Sequence, residues 1–161
     1  MAETAAVQKI LSRLRNQCSR REHCVSDVRE KALKALGGDE SAVETVVESL
    51  KSDKYVDDRR YCAAYAREKA SISGWGAVKI RYVLSHKGLS RADIDAGIAE
   101  IDENGAFARL EKLLAAKGRT LKDDPQRKLK LLRFALGRGY QYDEVTAVLN
   151  HIGKGGDDGE I

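Results

Sequence analysis

Few side chains in this 161-residue sequence have types and spacings that could do chemistry. Cys18, Cys24 and Cys62 could serve as nucleophiles or metal ligands, and His23, His86 and His151 as bases or ligands. Asp57-Asp58 and Asp123-Asp124 are adjacent carboxylates that could share a proton. None of these sets forms a working pattern. Zinc sites need closely paired Cys or His ligands, and the three cysteines show no such pairing. A nucleophile needs an identifiable base, and three scattered histidines supply little material. Neighbouring aspartates at a helix start are better read as a cap plus a favourable dipole interaction. The glycines of "SGWGAVKI" lack the preceding strand and Gly-rich pattern of a phosphate loop, so they read as structural punctuation. The sequence therefore points to a non-enzyme, with no catalytic residue, no metal and no cofactor.

Recognition at a surface is the remaining chemistry. From Tyr55 to Arg91 there are eight Lys or Arg against three Asp or Glu. From Arg119 to Tyr140 there are seven against two, so each segment carries +5 while the whole chain carries +4. Segregated charge of this kind attracts acidic protein surfaces or phosphate backbones. The candidate partner-binding cations are Arg67, Lys69, Lys79, Lys87, Lys130, Arg133 and Arg138. Lys87 lies near a core boundary and is the weaker surface candidate. Trp75, the only tryptophan, is the apolar candidate, because an indole offers a large contact area at low side-chain entropy cost. Tyr61 and Tyr65, four apart, read mainly as core.

These residues need elements to carry them. A single proline and 42% hydrophobic residues suit a nearly all-helical chain. Apolar residues recur at helical spacing through nine segments. Ser19 and Glu22 read as a capping box before the second segment, and Ser90 and Asp93 as another before the sixth. Asp57 or Asp58 is expected to cap the fourth, and Asp124-Pro125 to open the eighth with Leu129, Leu132, Ala135 and Leu136 inward. Gly37, Gly88 and Gly139 recur every 51 residues, as do Val43, Ile94 and Val145 and also Val47, Ile98 and Leu149. The reading is all-α, as tandem three-helix repeats: a first module at 1–54, a central module at 55–104, a third at 105–153 and a flexible tail at 154–161. A single such module is too small to be comfortably stable alone. No apolar run approaches the roughly 20 residues of a membrane helix. An odd cysteine count without a signal peptide favours a reducing cytoplasm, and a monomer is expected.

The block "YVDDRRYCAAYAREKASISGWGAVKIRYVLSHKGLSRADI" resembles the RecX family, bacterial regulators of RecA recombinase. Asp58, Tyr61 and Tyr65 fall at family positions, Lys69 stands where a basic residue is usual, and Trp75-Gly76 fits the family's turn. Ile80, Leu84 and Lys87-Gly88-Leu89 complete the match. "SRREHCVSDVREKAL" and "ALGRGYQYDEVTAVL" extend the resemblance into the first and third modules. Cys62 replaces a usual alanine and Cys24 a usual leucine. The resemblance implies an elongated, curved array that binds a RecA filament on DNA, with added direct contacts to single- or double-stranded DNA. It implies inhibition of filament growth, ATP hydrolysis, strand exchange and coprotease activity. Read without the resemblance, the basic segments also fit a repeat protein that binds nucleic acid directly, or a scaffold for another protein partner.

Overall fold

The computed structural model describes the backbone of residues 2–160 and the side chains of 5–102 and 105–153. Within that range every regular element is a helix. They are α1 (Ala2–Arg20), α2 (Val25–Ala35), α3 (Glu40–Ser52), α4 (Asp58–Ser71), α5 (Ala77–His86), α6 (Arg91–Ala99), α7 (Glu103–Arg119), α8 (Arg127–Gly137) and α9 (Tyr142–Glu160). The fold is all-α, built from tandem helical repeats. The tail expected to be flexible, 154–161, falls outside the described side chains.

Compactness divides the chain into two units, Met1–Ala64 with Leu84–Gly97, and Tyr65–Val83 with Ile98–Ile161. In the first, Ile10, Leu11 and Leu14 of α1 meet Val28 of α2 and Val43, Val46, Val47 and Leu50 of α3. In the second, Leu110 and Leu114 of α7, Leu131 and Ala135 of α8, and Val145 and Val148 of α9 form the core. Small aliphatic side chains dominate both, which suits narrow helix–helix interfaces.

The 51-residue period is visible as repeated capping. Asp39 accepts from the Ala42 amide and Ser90 from the Asp93 amide, while the Gln141 amide donates to Glu144. The three pairs close the first turns of α3, α6 and α9, each 51 residues after the last. At the helix ends, the Gly38 amide donates to Leu33 O at 3.1 Å and the Tyr140 amide to Ala135 O at 3.2 Å. Gly37 (φ 63°), Gly88 (φ 79°) and Gly139 (φ 97°) occupy the left-handed position such endings require.

The helix α3 ends the same way with no glycine. The Tyr55 amide donates to Leu50 O at 2.9 Å, and Lys54 takes φ 61°. A left-handed lysine is strained by about 1 kcal/mol or more. Lys54→Gly is accordingly expected to raise stability by about 1 kcal/mol, read as a higher urea midpoint with unchanged slope.

The paired aspartates before α4 serve two helices. Asp57 caps α4, accepting from the Arg60 amide at 3.1 Å. Asp58 instead accepts from the Val25 amide at 2.7 Å, an orphan donor at the start of α2. Three expectations are corrected: the box before α2, the start of α8 and its inward face. The box before α2 is not Ser19–Glu22: α1 continues to Arg20, with Ser19 donating back to Asn16 O. The closure is made by Cys24, whose amide donates to Asp27. At α8, Asp124 does accept an orphan amide, that of Gln126 at 2.8 Å, but the helix begins at Arg127 and Pro125 lies outside it. The buried face of α8 is Leu131 and Ala135, with Leu129 and Leu136 each 41% exposed. Apolar residues nearly encircle this helix, so spacing alone could not fix its phase.

Candidate docking surface

The grouping of sequence candidates lies in the second unit, around the turn between α4 and α5. Gly74 (φ 70°) reverses the chain after α4, and the Trp75 amide donates to Lys69 O at 2.9 Å. The indole is half-buried. The Lys79 ammonium stands 4.4 Å from its ring centroid and the Lys69 ammonium 4.9 Å. Tyr65 approaches edge-on, with centroids 6.4 Å apart, and Lys69 also stands 5.5 Å from the Tyr65 ring. The negative ring faces hold the two cations, each contact being worth about 0.5–1 kcal/mol at a partly exposed site. The result is an aromatic platform bearing two positive charges. Such a surface can accept a carboxylate or phosphate beside an apolar contact.

A long-range junction supports this platform. The Gly76 amide donates to Arg138 O at 2.8 Å and the Val78 amide to Gly139 O at 3.0 Å. The start of α5 thus meets the end of α8, and the orphan donors of one helix satisfy the orphan carbonyls of the other. A Cβ at Gly76 would overlap the Gly139 carbonyl, and a Cβ at Gly139 would overlap Lys79. Both positions need glycine for close approach. Trp75 also lines a cavity of about 310 Å³, together with Ala70, Ile98, Arg109, Tyr140 and Glu144, among others. Burial pushes the Tyr140 phenol above its ordinary pKa.

The other candidates are placed as follows. Arg67 is exposed and pairs with Glu100 at 3.1 Å. Lys130 pairs with Asp124, and Arg133 is exposed on α8. Arg138 is half-buried, with its guanidinium 5.1 Å from the Phe134 ring. Lys87 lies in the first unit, where its ammonium donates to the Tyr61 hydroxyl at 2.8 Å and to Asp27 at 3.3 Å. Burial opposes the Lys87 charge, but these two partners outweigh it and raise its pKa. Burial likewise opposes the Asp27 carboxylate, but bonds from Cys24 and Lys87 hold its pKa below the ordinary value. Lys87 is thus a tether of the first unit. Sequence reasoning missed the exposed apolar residues Ile72, Val78 and Tyr82 near the platform in sequence, together with Leu129 and Leu136 on α8. The period offered a signal, since Val78 and Leu129 are one repeat apart.

Buried polar groups also give the first unit a pH response. His23 is 4% exposed. Burial lowers its pKa from 6.5, aided by Lys31, Arg21 and Lys87, while Asp27 opposes the shift. A depressed folded-state pKa stabilises above 6.5, and that contribution is lost as pH falls below it. Denaturation midpoints at pH 7.5 and 5.5 should fall more for the wild type than for His23→Gln.

No group of three or more His, Cys, Asp or Glu among the described residues is placed to hold a metal ion. Burial raises the pKa of all three cysteines, with Cys62 pushed up to about 12. Such thiols are poor nucleophiles. No described helix is long and apolar enough to cross a membrane.

Comparison with known families matches residues 57–98 to the second three-helix domain of RecX and residues 105–149 to its third. The chain belongs to the RecX family. A regulatory protein RecX from Clostridium acetobutylicum is 34% identical over 119 residues, covering 70% of this chain and 55% of the relative. One from Clostridium botulinum is 32% identical over 126 residues, covering 76% and 58%. This chain therefore spans little more than half the length of these clostridial members of the RecX family. One from Pseudomonas syringae is 29% identical over 140 residues, covering 87% and 88%. The fold is shared with a crystal structure of a regulatory protein RecX at TM-score 0.81 and 24% identity, over 92% of this chain and 74% of that one. RecX from Lactobacillus salivarius gives the same TM-score at 18% identity, over 92% and 97%.

Proposed function

We propose that this protein is a non-catalytic regulator that docks on RecA filaments and restrains filament growth, ATP hydrolysis, strand exchange and coprotease activity. It works in the cytoplasm as a monomer of three modules, and direct DNA contacts add to the docking. Membership of the RecX family supports the partner class. The observation that carries the docking reading is the half-buried Trp75 indole with the ammonium groups of Lys69 and Lys79 beside it. An aromatic anchor with two cations held beside it suits a mixed acidic and apolar protein surface. Exposed Arg133 on α8 extends the basic character of the same unit, while the Lys130 charge is offset by Asp124.

The test is binding to preassembled RecA filaments, and separately to the same DNA without RecA, across a salt series. The expected result is filament binding well above binding to bare DNA, with a modest salt slope. Equal affinity for bare DNA with a steep slope would replace this reading with direct nucleic-acid binding. No filament binding by the folded chain would reject it.

A further inference from the structure

Resting on the docking reading above, we propose that Arg138 is a positioning residue that sets the pose of Trp75 from the end of α8 and does not itself touch the partner. Trp75 is held on both sides by this one residue. Before it in sequence, Ser73 O accepts from the Arg138 guanidinium at 3.2 Å. After it, the Gly76 amide donates to Arg138 O at 2.8 Å. Between them, the Trp75 amide is tied to Lys69 O, so the backbone is fixed at three successive points around one side chain. A guanidinium can make this bridge because its planar donors reach a carbonyl while the same plane packs on an aromatic ring. Phe134, one turn earlier on α8, supplies that ring at 5.1 Å.

Local contacts to the indole come from Tyr65, Lys69 and Lys79, and the Arg138 contacts tie the backbone on either side of it. The turn contains Gly74 at φ 70° and flanks Ile72, which is 79% exposed. A glycine turn with an exposed apolar neighbour samples many poses unless long-range bonds select one. The Gly139 carbonyl, one residue beyond Arg138, also receives the Val78 amide, so the first turn of α5 and its Lys79 are set by the same turn. The end of α8 therefore selects the geometry of a platform built on α4 and α5. Docking strength at that platform responds to changes in α8 that no partner contacts.

Trp75 is the only tryptophan, so its fluorescence reports this pose without any partner present. Arg138→Met keeps the stem over Phe134 and removes the bridge to Ser73. It is expected to shift emission to longer wavelength and raise acrylamide quenching. Arg138→Lys, which keeps a cation and a donor, should lie between Met and wild type. Unchanged emission and quenching in both folded variants overturns the proposal. Filament binding gives the second arm. Arg138→Met should weaken binding about 5- to 10-fold in the wild-type background and less than about twofold in a Trp75→Ala background, because the two residues act as one unit. An equal loss in both backgrounds would make Arg138 a direct contact and overturn the proposal. Filament binding that ignores Trp75 altogether rejects the docking reading, and the fluorescence arm then still decides the positioning.

Discussion

Alanine at Gly97 is expected to destabilise the protein by about 3 kcal/mol, at the upper end of the cost of overpacking a core. Gly97 is buried on α6. A Cβ there would stand 2.7 Å from the Cys62 carbonyl carbon, 2.8 Å from Cys62 Cβ and 2.9 Å from the Ala63 amide nitrogen. Two of these atoms are backbone, so no flexible side chain can yield. Helix propensity favours the substitution by about 0.8–1.0 kcal/mol, and the clash must reverse that sign. Gly137, within α8, is the matched control, with nothing within 4 Å of its Cβ. Gly137→Ala should therefore stabilise by up to about 1 kcal/mol. For a chain of this size the Gly97 variant should melt about 6–12 °C lower. Two variants moving in the same direction by calorimetry would refute the packing argument.

This pair shows what was legible in the sequence and what was not. Glycines a repeat apart announced helix endings, and Gly37, Gly88 and Gly139 do end helices with positive φ. That signal is local, because a left-handed turn excludes most other residues. Lys54 takes the same backbone position without the signal, since the surrounding structure outweighs the strain. Gly97 gave no cue, because its reason is the proximity of Cys62 across 35 residues of chain. Caps were readable where side chain and amide lie within one turn, as for Ser90 and Asp93. They were misread at α2, where a cysteine stands at the cap and Asp58 reaches in from far along the chain. The candidate site divides in the same way. Types and spacing singled out Lys69, Trp75 and Lys79, which do come together. They could not show that Lys87 is bound by Asp27 and Tyr61, 60 and 26 residues away. Nor could they show that Arg138 spans 65 residues to reach the Trp75 turn.

Trp75→Ala is expected to weaken filament binding by about 30-fold, or about 2 kcal/mol, the lower bound for an interface hot spot. The indole is half-buried and its backbone is fixed, so little conformational freedom is lost when a partner covers it. Its loss also removes the ring beside Lys79 and one of the two rings beside Lys69, so one truncation loosens the cations as well. The lysines alone should matter less. Lys79→Gln leaves the indole in place and removes one partly exposed charge, with an expected effect of about 1 kcal/mol or less that fades as salt rises. The two variants therefore separate on a salt series: the Trp75 deficit persists, whereas the Lys79 deficit shrinks. Trp75→Ala should keep its helical circular dichroism, because the cores of both units are made by other residues. A folded Trp75→Ala protein that binds filaments within about twofold of wild type would remove the platform from the interface.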